Sequence, residues 1–157
     1  MIPLDENMGR EYPDRPIAGV AAVIFRGNEV LLTRRRNPPG EGLWGLPGGV
    51  VELGETVREA VVREVREECG IEVEPIKLLE VYDSIVRDEK GRVRFHYILS
   101  EFLCRVVSGS LKPSSDALEA RWVPLEKLEG MPMGRGTLRF IMRIAAEERI
   151  SATKYTL

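Results

Sequence analysis

Glu64, Glu67 and Glu68 sit within little more than one helical turn of one another, and no other feature constrains the chain so tightly. Helical spacings of three and four residues return to one side, so the three carboxylates can be aimed at a single point. Like charges gathered this way are unfavourable unless a cation joins them. Hard divalent cations such as Mg2+ prefer oxygen ligands of this kind and often share them with a substrate phosphate.

A helix around these residues is well signalled. Thr56 followed by Glu59 has the form of a capping box, with Gly54 and Glu55 leading into it. Cys69-Gly70 supplies the stop, because glycine accepts the left-handed backbone that follows a helix end. Val61, Val62, Val65 and Cys69 gather on one side, and Glu59, Arg63 and Arg66 fall on the other. The three glutamates lie beside the apolar stripe, which is an awkward place for a purely solvated face. The plain alternative is a charged surface helix in which Glu and Arg are good helix formers making i,i+4 pairs. The context upstream weighs against it, since Leu43 to Gly49 reads as a strand-like stretch running into a Pro-Gly-Gly turn.

The rest of the chain gives an α/β order. Residues 1–16 read as a loose N-terminal arm, 17–148 as one domain and 149–157 as a tail. Ile17 to Phe25 and Val30 to Thr33 form an expected hairpin about Arg26-Gly27-Asn28-Glu29, followed by a loop from Arg34 to Gly42. Beyond the helix, Ile76 to Val86 and Val93 to Val107 read as long strands joined at Asp88-Glu89-Lys90-Gly91. A polar loop over 108–118, a short strand Ala120 to Val123, a helical turn from Pro124 and a C-terminal helix from Gly136 to Glu148 complete the order.

Gly49 to Ile71 resembles the signature box of the Nudix hydrolases at every specified position: Gly49, Glu55, Arg63-Glu64, Glu67-Glu68, Gly70 and the intervening spacing. The resemblance implies the family's α/β/α sandwich around a mixed β-sheet. It also implies an enzyme, a pyrophosphohydrolase that splits the pyrophosphate of a nucleoside diphosphate linked to another group. Mg2+ is the implied cofactor, with Mn2+ as an alternative. By the same resemblance, Glu67 and Glu68 are metal ligands, Glu64 is a further ligand or the base, and the carbonyl of Gly48 is the non-carboxylate ligand. Arg63 and Glu55 become a pair that supports the helix. Some family members take their base from a later loop, which makes Asp116 and Glu119 candidates for that role or for another metal ion. For each, a solvated loop acid is the competing reading.

Arg34-Arg35-Arg36 ends a strand upstream of the box, where one guanidinium is expected to hold a substrate phosphate while the others are solvated. His96 reads as structural, Trp44 and Trp122 as packing residues, and Phe25 and Tyr82 as core or pocket. Tyr12-Pro13-Asp14-Arg15-Pro16 and Gly42-Leu43-Trp44 are similar to ADP-ribose pyrophosphatase-like members. A proline that many of those enzymes carry beyond the box is absent from Asp83-Ser84-Ile85-Val86-Arg87. The resemblance therefore leans to ADP-ribose, giving AMP and ribose 5-phosphate. The alternative is a nucleoside triphosphate pyrophosphohydrolase clearing oxidised or non-standard nucleotides, and a third reading is a non-catalytic nucleotide binder.

Net charge is −2, so no overall basic field recruits a nucleic-acid polymer or an acidic membrane. No segment reads as a signal peptide or membrane span, so a cytoplasmic location is expected. Cys69 and Cys104 read as buried small residues in preference to a disulfide. A homodimer is expected from the resemblance, with the arm as an exchange element.

Overall fold

The structure is a computed structural model that describes residues 9–112 and 117–150. Its centre is β1, Ile17–Arg26, whose residues from Gly19 to Ile24 are all buried. That continuous apolar run is what a strand covered on both faces requires. β1 runs parallel to β6, Val93–Ser108, with Ile17 opposite Tyr97 and Ile24 opposite Cys104. β6 pairs antiparallel with β5, Glu72–Arg87.

On its other side β1 meets two partners in succession. β2, Glu29–Arg35, stays with β1 only through Phe25 and Arg26. Further back, β4, Gly48–Val50, lies antiparallel against Gly19, Val20 and Ala21. β2 meanwhile pairs with β3, Trp44–Gly45, and with β7, Ala117–Pro124. The mixed sheet therefore opens between β1 and β2, and β4 occupies the gap.

Two helices cover the sheet. α1, Val57–Cys69, packs Ala60, Val61, Val65 and Cys69 against Val20, Ala22, Ile24 and Phe102. α2, Arg135–Glu147, covers the opposite face, where Ile144 meets Val23 and Leu103. The expected α/β/α sandwich is thus what the chain forms. A 3-10 helix, Leu125–Gly130, joins β7 to α2 and buries Leu125 and Leu128. No described helix is long and apolar enough to cross a membrane. Both cysteines are free and buried.

The box helix has the expected caps. Thr56 Oγ1 accepts from the backbone N–H of Glu59 at 3.1 Å, and Gly70 adopts φ 73° with its N–H donated to the Arg66 carbonyl. Other boundaries differ from expectation. β5 begins at Glu72, not Ile76, because bulges around Pro75 absorb the residue that cannot donate. β2 extends through Arg34 and Arg35, and β7 begins early enough to take in Glu119. Gly48 and Gly49 belong to a strand instead of a turn. A Cβ on Gly48 would lie 2.1 Å from the Val20 carbonyl oxygen, so glycine is demanded by close approach of two backbones.

The end of the N-terminal arm docks on the β5–β6 hairpin of its own chain. Tyr12 donates its N–H to the Arg94 carbonyl at 2.7 Å and its hydroxyl to Asp88 Oδ2 at 3.0 Å, with Arg92 over the ring.

Candidate active site

The site is assembled where α1 passes over β4. The two glycines of β4 set the spacing. Pro47 and Val51 bond to Ala22 and Ala18 of β1, so by the alternation of an antiparallel ladder Gly49 faces β1 and Gly48 turns outward. The outward N–H of Gly48 is donated to Glu68 Oε1 at 3.3 Å. Its carbonyl leaves the strand by the same edge. On Gly49, the space a side chain would fill holds Glu64: an added Cβ would lie 2.3 Å from the Glu64 carboxyl carbon.

Arg63 organises the acids. It donates Nε and Nη2 to the two oxygens of Glu55 at 2.7 and 2.9 Å, Nη2 to the Val50 carbonyl at 2.9 Å, and Nη1 to Glu64 and Glu67 at 2.9 and 3.1 Å. The side chains of Arg63, Glu55 and Glu64 are 18%, 13% and 13% exposed, whereas Glu67 is 47% exposed. In this partly dry setting the paired guanidinium holds Glu55 below the usual carboxylate range, and Glu55 in turn raises the pKa of Arg63. The sequence placed Arg63 on the side away from the apolar stripe. Its long side chain instead folds back along the helix to reach the loop between β4 and α1.

The carboxylates are brought to one side as their spacing requires, but they do not close on a point. Among the described residues no three His, Cys, Asp or Glu side chains converge closely enough to enclose an ion. A guanidinium nitrogen of Arg63 lies between Glu64 and Glu67. The oxygen-only donor set of Glu64, Glu67, Glu68 and the Gly48 carbonyl still fits a hard divalent cation better than a soft one.

The three upstream arginines separate. Arg34 donates Nε to the Gly42 carbonyl at 3.2 Å and Nη1 to Glu119 at 3.5 Å. Arg35 points to the other side and holds the Pro39 carbonyl at 2.7 Å, while Arg36 is exposed beyond the strand end. Glu119 is a strand residue opposite Arg34 and also accepts from Arg121 at 2.7 Å, so it is a doubly paired acid and not a solvated loop acid. Asp116 lies outside the described residues. Trp44 and Phe25 are packing residues; Trp122 packs partly into the core beneath Arg26, and Tyr82 is exposed. The Val50 carbonyl was not foreseeable, since a backbone acceptor leaves no mark on residue type.

The NUDIX domain profile matches residues 15–143. The chain belongs to the NUDIX domain family. Its NUDIX domain is 44% identical over 113 residues to a Methanocaldococcus jannaschii protein named ADP-ribose pyrophosphatase, a match covering 72% of this chain and 64% of that protein. A human protein named 8-oxo-dGDP phosphatase is 34% identical over 137 residues, covering 85% of this chain and 39% of the relative. The chain thus spans less than two thirds of the length of these relatives. A crystal structure of a MutT NUDIX hydrolase from Burkholderia pseudomallei, 34% identical, superposes with a TM-score of 0.70 over 85% of this chain and 98% of that one.

Proposed function

We propose that this domain hydrolyses the pyrophosphate bond of a nucleoside diphosphate linked to a second group, with ADP-ribose as the leading substrate and AMP and ribose 5-phosphate as products. The observation that carries this reading is the fit of Glu64 and Glu68 to the two glycines of β4. Backbone and carboxylate oxygens are packed there with no intervening side chain, at a sheet edge that no strand covers among the described residues. The name of the archaeal relative supports the choice of substrate.

Glu67, Glu68, Glu64 and the Gly48 carbonyl are the residues proposed to hold Mg2+. When bound, such an ion would offset the charge of the phosphate oxygens and make a nearby water more acidic. Water adds to one phosphorus, the bridging P–O bond breaks, and the proton leaves to a carboxylate. We assign that proton to Glu64, as the resemblance of the box implies, or to Asp116; Glu119 has both oxygens engaged, by Arg34 and Arg121. Arg63 holds Glu64 in position through the step, and Arg36 is the candidate for an outlying phosphate.

A small-molecule substrate, a cytoplasmic setting and a homodimer belong to the same proposal. The slight negative charge, the two unbridged cysteines and the exposed Val81, Ile85 and Ile98 on β5 and β6 are their respective supports.

Product analysis by ion-exchange chromatography with Mg2+ tests the reading, using ADP-ribose, other nucleotide sugars, dinucleotides, 8-oxo-dGTP and ordinary triphosphates. AMP and ribose 5-phosphate at the highest efficiency is the expected result. Monophosphate and pyrophosphate from the triphosphates would transfer the protein to nucleotide clearance. Binding without turnover would make it a sensor.

A further inference from the structure

Glu101 is the one acid in the apolar core of β6, between Ser100 and Phe102, and it is 8% exposed. Among the described residues no donor reaches it, although every fully enclosed side-chain nitrogen or oxygen has a partner. Its carboxyl oxygens are therefore the part that retains access to solvent. The adjacent cation, Arg143 of α2, is engaged by Glu80 at 2.9 Å and Glu147 at 3.2 Å. A carboxyl kept in this state costs stability, so a compensating use is expected.

Its position suggests the use. Alternate residues of a strand share a face, so Tyr97, Leu99, Glu101 and Leu103 point the same way. Leu103 is covered by Ile144 of α2. Leu99 and Tyr97 are only partly buried, and Tyr82, opposite Leu99, is exposed. Cover by the helix thus falls off along this row on the α2 face, and Glu101 is its last buried residue before Leu99 and Tyr97. Arg10 and Arg35 bring positive charge to the other end, beside Tyr97.

The register ties Glu101 to the proposed site of hydrolysis. Glu101 is opposite Ala21, and Ala21 is opposite Gly48. Two strand spacings put the Cα of Glu101 about 10 Å from that of Gly48. This is the span of a glutamate side chain plus a pentose attached to a phosphate at the Gly48 edge.

We propose that Glu101 is a substrate-reading residue whose carboxyl group hydrogen-bonds a hydroxyl of the pentose next to the scissile pyrophosphate. The proposal rests on the assignment of a nucleoside diphosphate substrate, and it deepens that assignment. Removing the matching hydroxyls from the substrate leaves a polar group without its partner, which is the most discriminating kind of contact.

The test compares wild type with Glu101→Gln and Glu101→Leu. Each is measured on ADP-ribose and on ADP-ribose analogues deoxygenated at each pentose, by steady-state kinetics, calorimetric binding and thermal melting. The expected result is a preference of the wild type for a hydroxylated pentose by tenfold or more in kcat/KM. Glu101→Leu should lose that preference, chiefly through KM, while melting at the same or a higher temperature. A purely structural Glu101 predicts the reverse: lower melting temperature with the preference intact, and that outcome overturns the proposal. Absence of turnover in the wild type would count against the hydrolase reading alone, because the loss of hydroxyl preference is then read from calorimetry. Equal affinity of wild type and Glu101→Leu for all the analogues overturns the Glu101 assignment in either case.

Discussion

The Arg63 guanidinium grips Glu55 with two parallel bonds, Nε to Oε2 at 2.7 Å and Nη2 to Oε1 at 2.9 Å. A third nitrogen on the same group holds Glu64 and Glu67. One planar cation thereby connects the loop before α1 to the acids upon it, which an ammonium with a single nitrogen cannot do. Arg63→Lys should lower kcat with ADP-ribose by about 10–100-fold, the usual effect of losing a group that orients metal ligands. Retention of full kcat would show that the acids hold their places unaided.

The same pair makes a pH prediction. The folded-state pKa of Glu55 is depressed, so its stabilising contribution is present above the unfolded carboxylate range. It is lost as pH falls through the folded value. Glu55→Gln should therefore lower the melting temperature at neutral pH and narrow its difference from wild type below about pH 4. A difference that stays constant across the acid range would contradict the pairing.

Gly49→Ala tests the fit of β4 to α1. The new methyl would overlap the carboxyl of Glu64, a side chain that can move, so the fold should survive with kcat reduced at least tenfold. Gly48→Ala meets the Val20 carbonyl instead and should destabilise the protein outright. Circular dichroism and melting separate the two; similar losses of fold would refute the distinction.

Glu119→Gln should leave kcat within about tenfold of wild type, whereas loss of a general base typically costs 10²–10⁴-fold. A loss in the upper range would return Glu119 to the role of base.

Burial, then the nearby charge of Glu80, pushes the Glu101 carboxyl up to about 7, with Arg143 opposing. A raised carboxyl pKa means that the folded state binds the proton more tightly, so stability declines as pH climbs from about 4.5 to about 7. Glu101→Gln should flatten the melting profile over that window, where Glu80 and Glu147 continue to be offset by Arg143. An unchanged slope would mean that Glu101 is ionised throughout.

Much of this was legible because it is local. The caps of α1 are read from Thr56, Glu59 and Gly70 alone, and the apolar run of β1 announces a strand buried on both faces. What escaped depends on residues distant in sequence. Pro47-Gly48-Gly49 has the chemistry of a turn, and only the closeness of Val20 and Glu64 explains glycine there. Glu119 became a paired strand acid because β7 registers with Arg34. The three box carboxylates share a side, as periodicity requires, but the reach of Arg63 decides how near they come. Glu101 interrupts the apolar pattern of β6, and that interruption is visible in the sequence.

The most direct measurement is Mg2+-dependent turnover of ADP-ribose by the wild type beside Glu68→Gln, with calorimetric binding of ADP-ribose to both. The wild type is expected to give AMP and ribose 5-phosphate, and the variant to lose turnover by about two orders of magnitude or more with substrate binding retained. Equal turnover in the two proteins would contradict it, since the acid bound to Gly48 would then have no part in the chemistry.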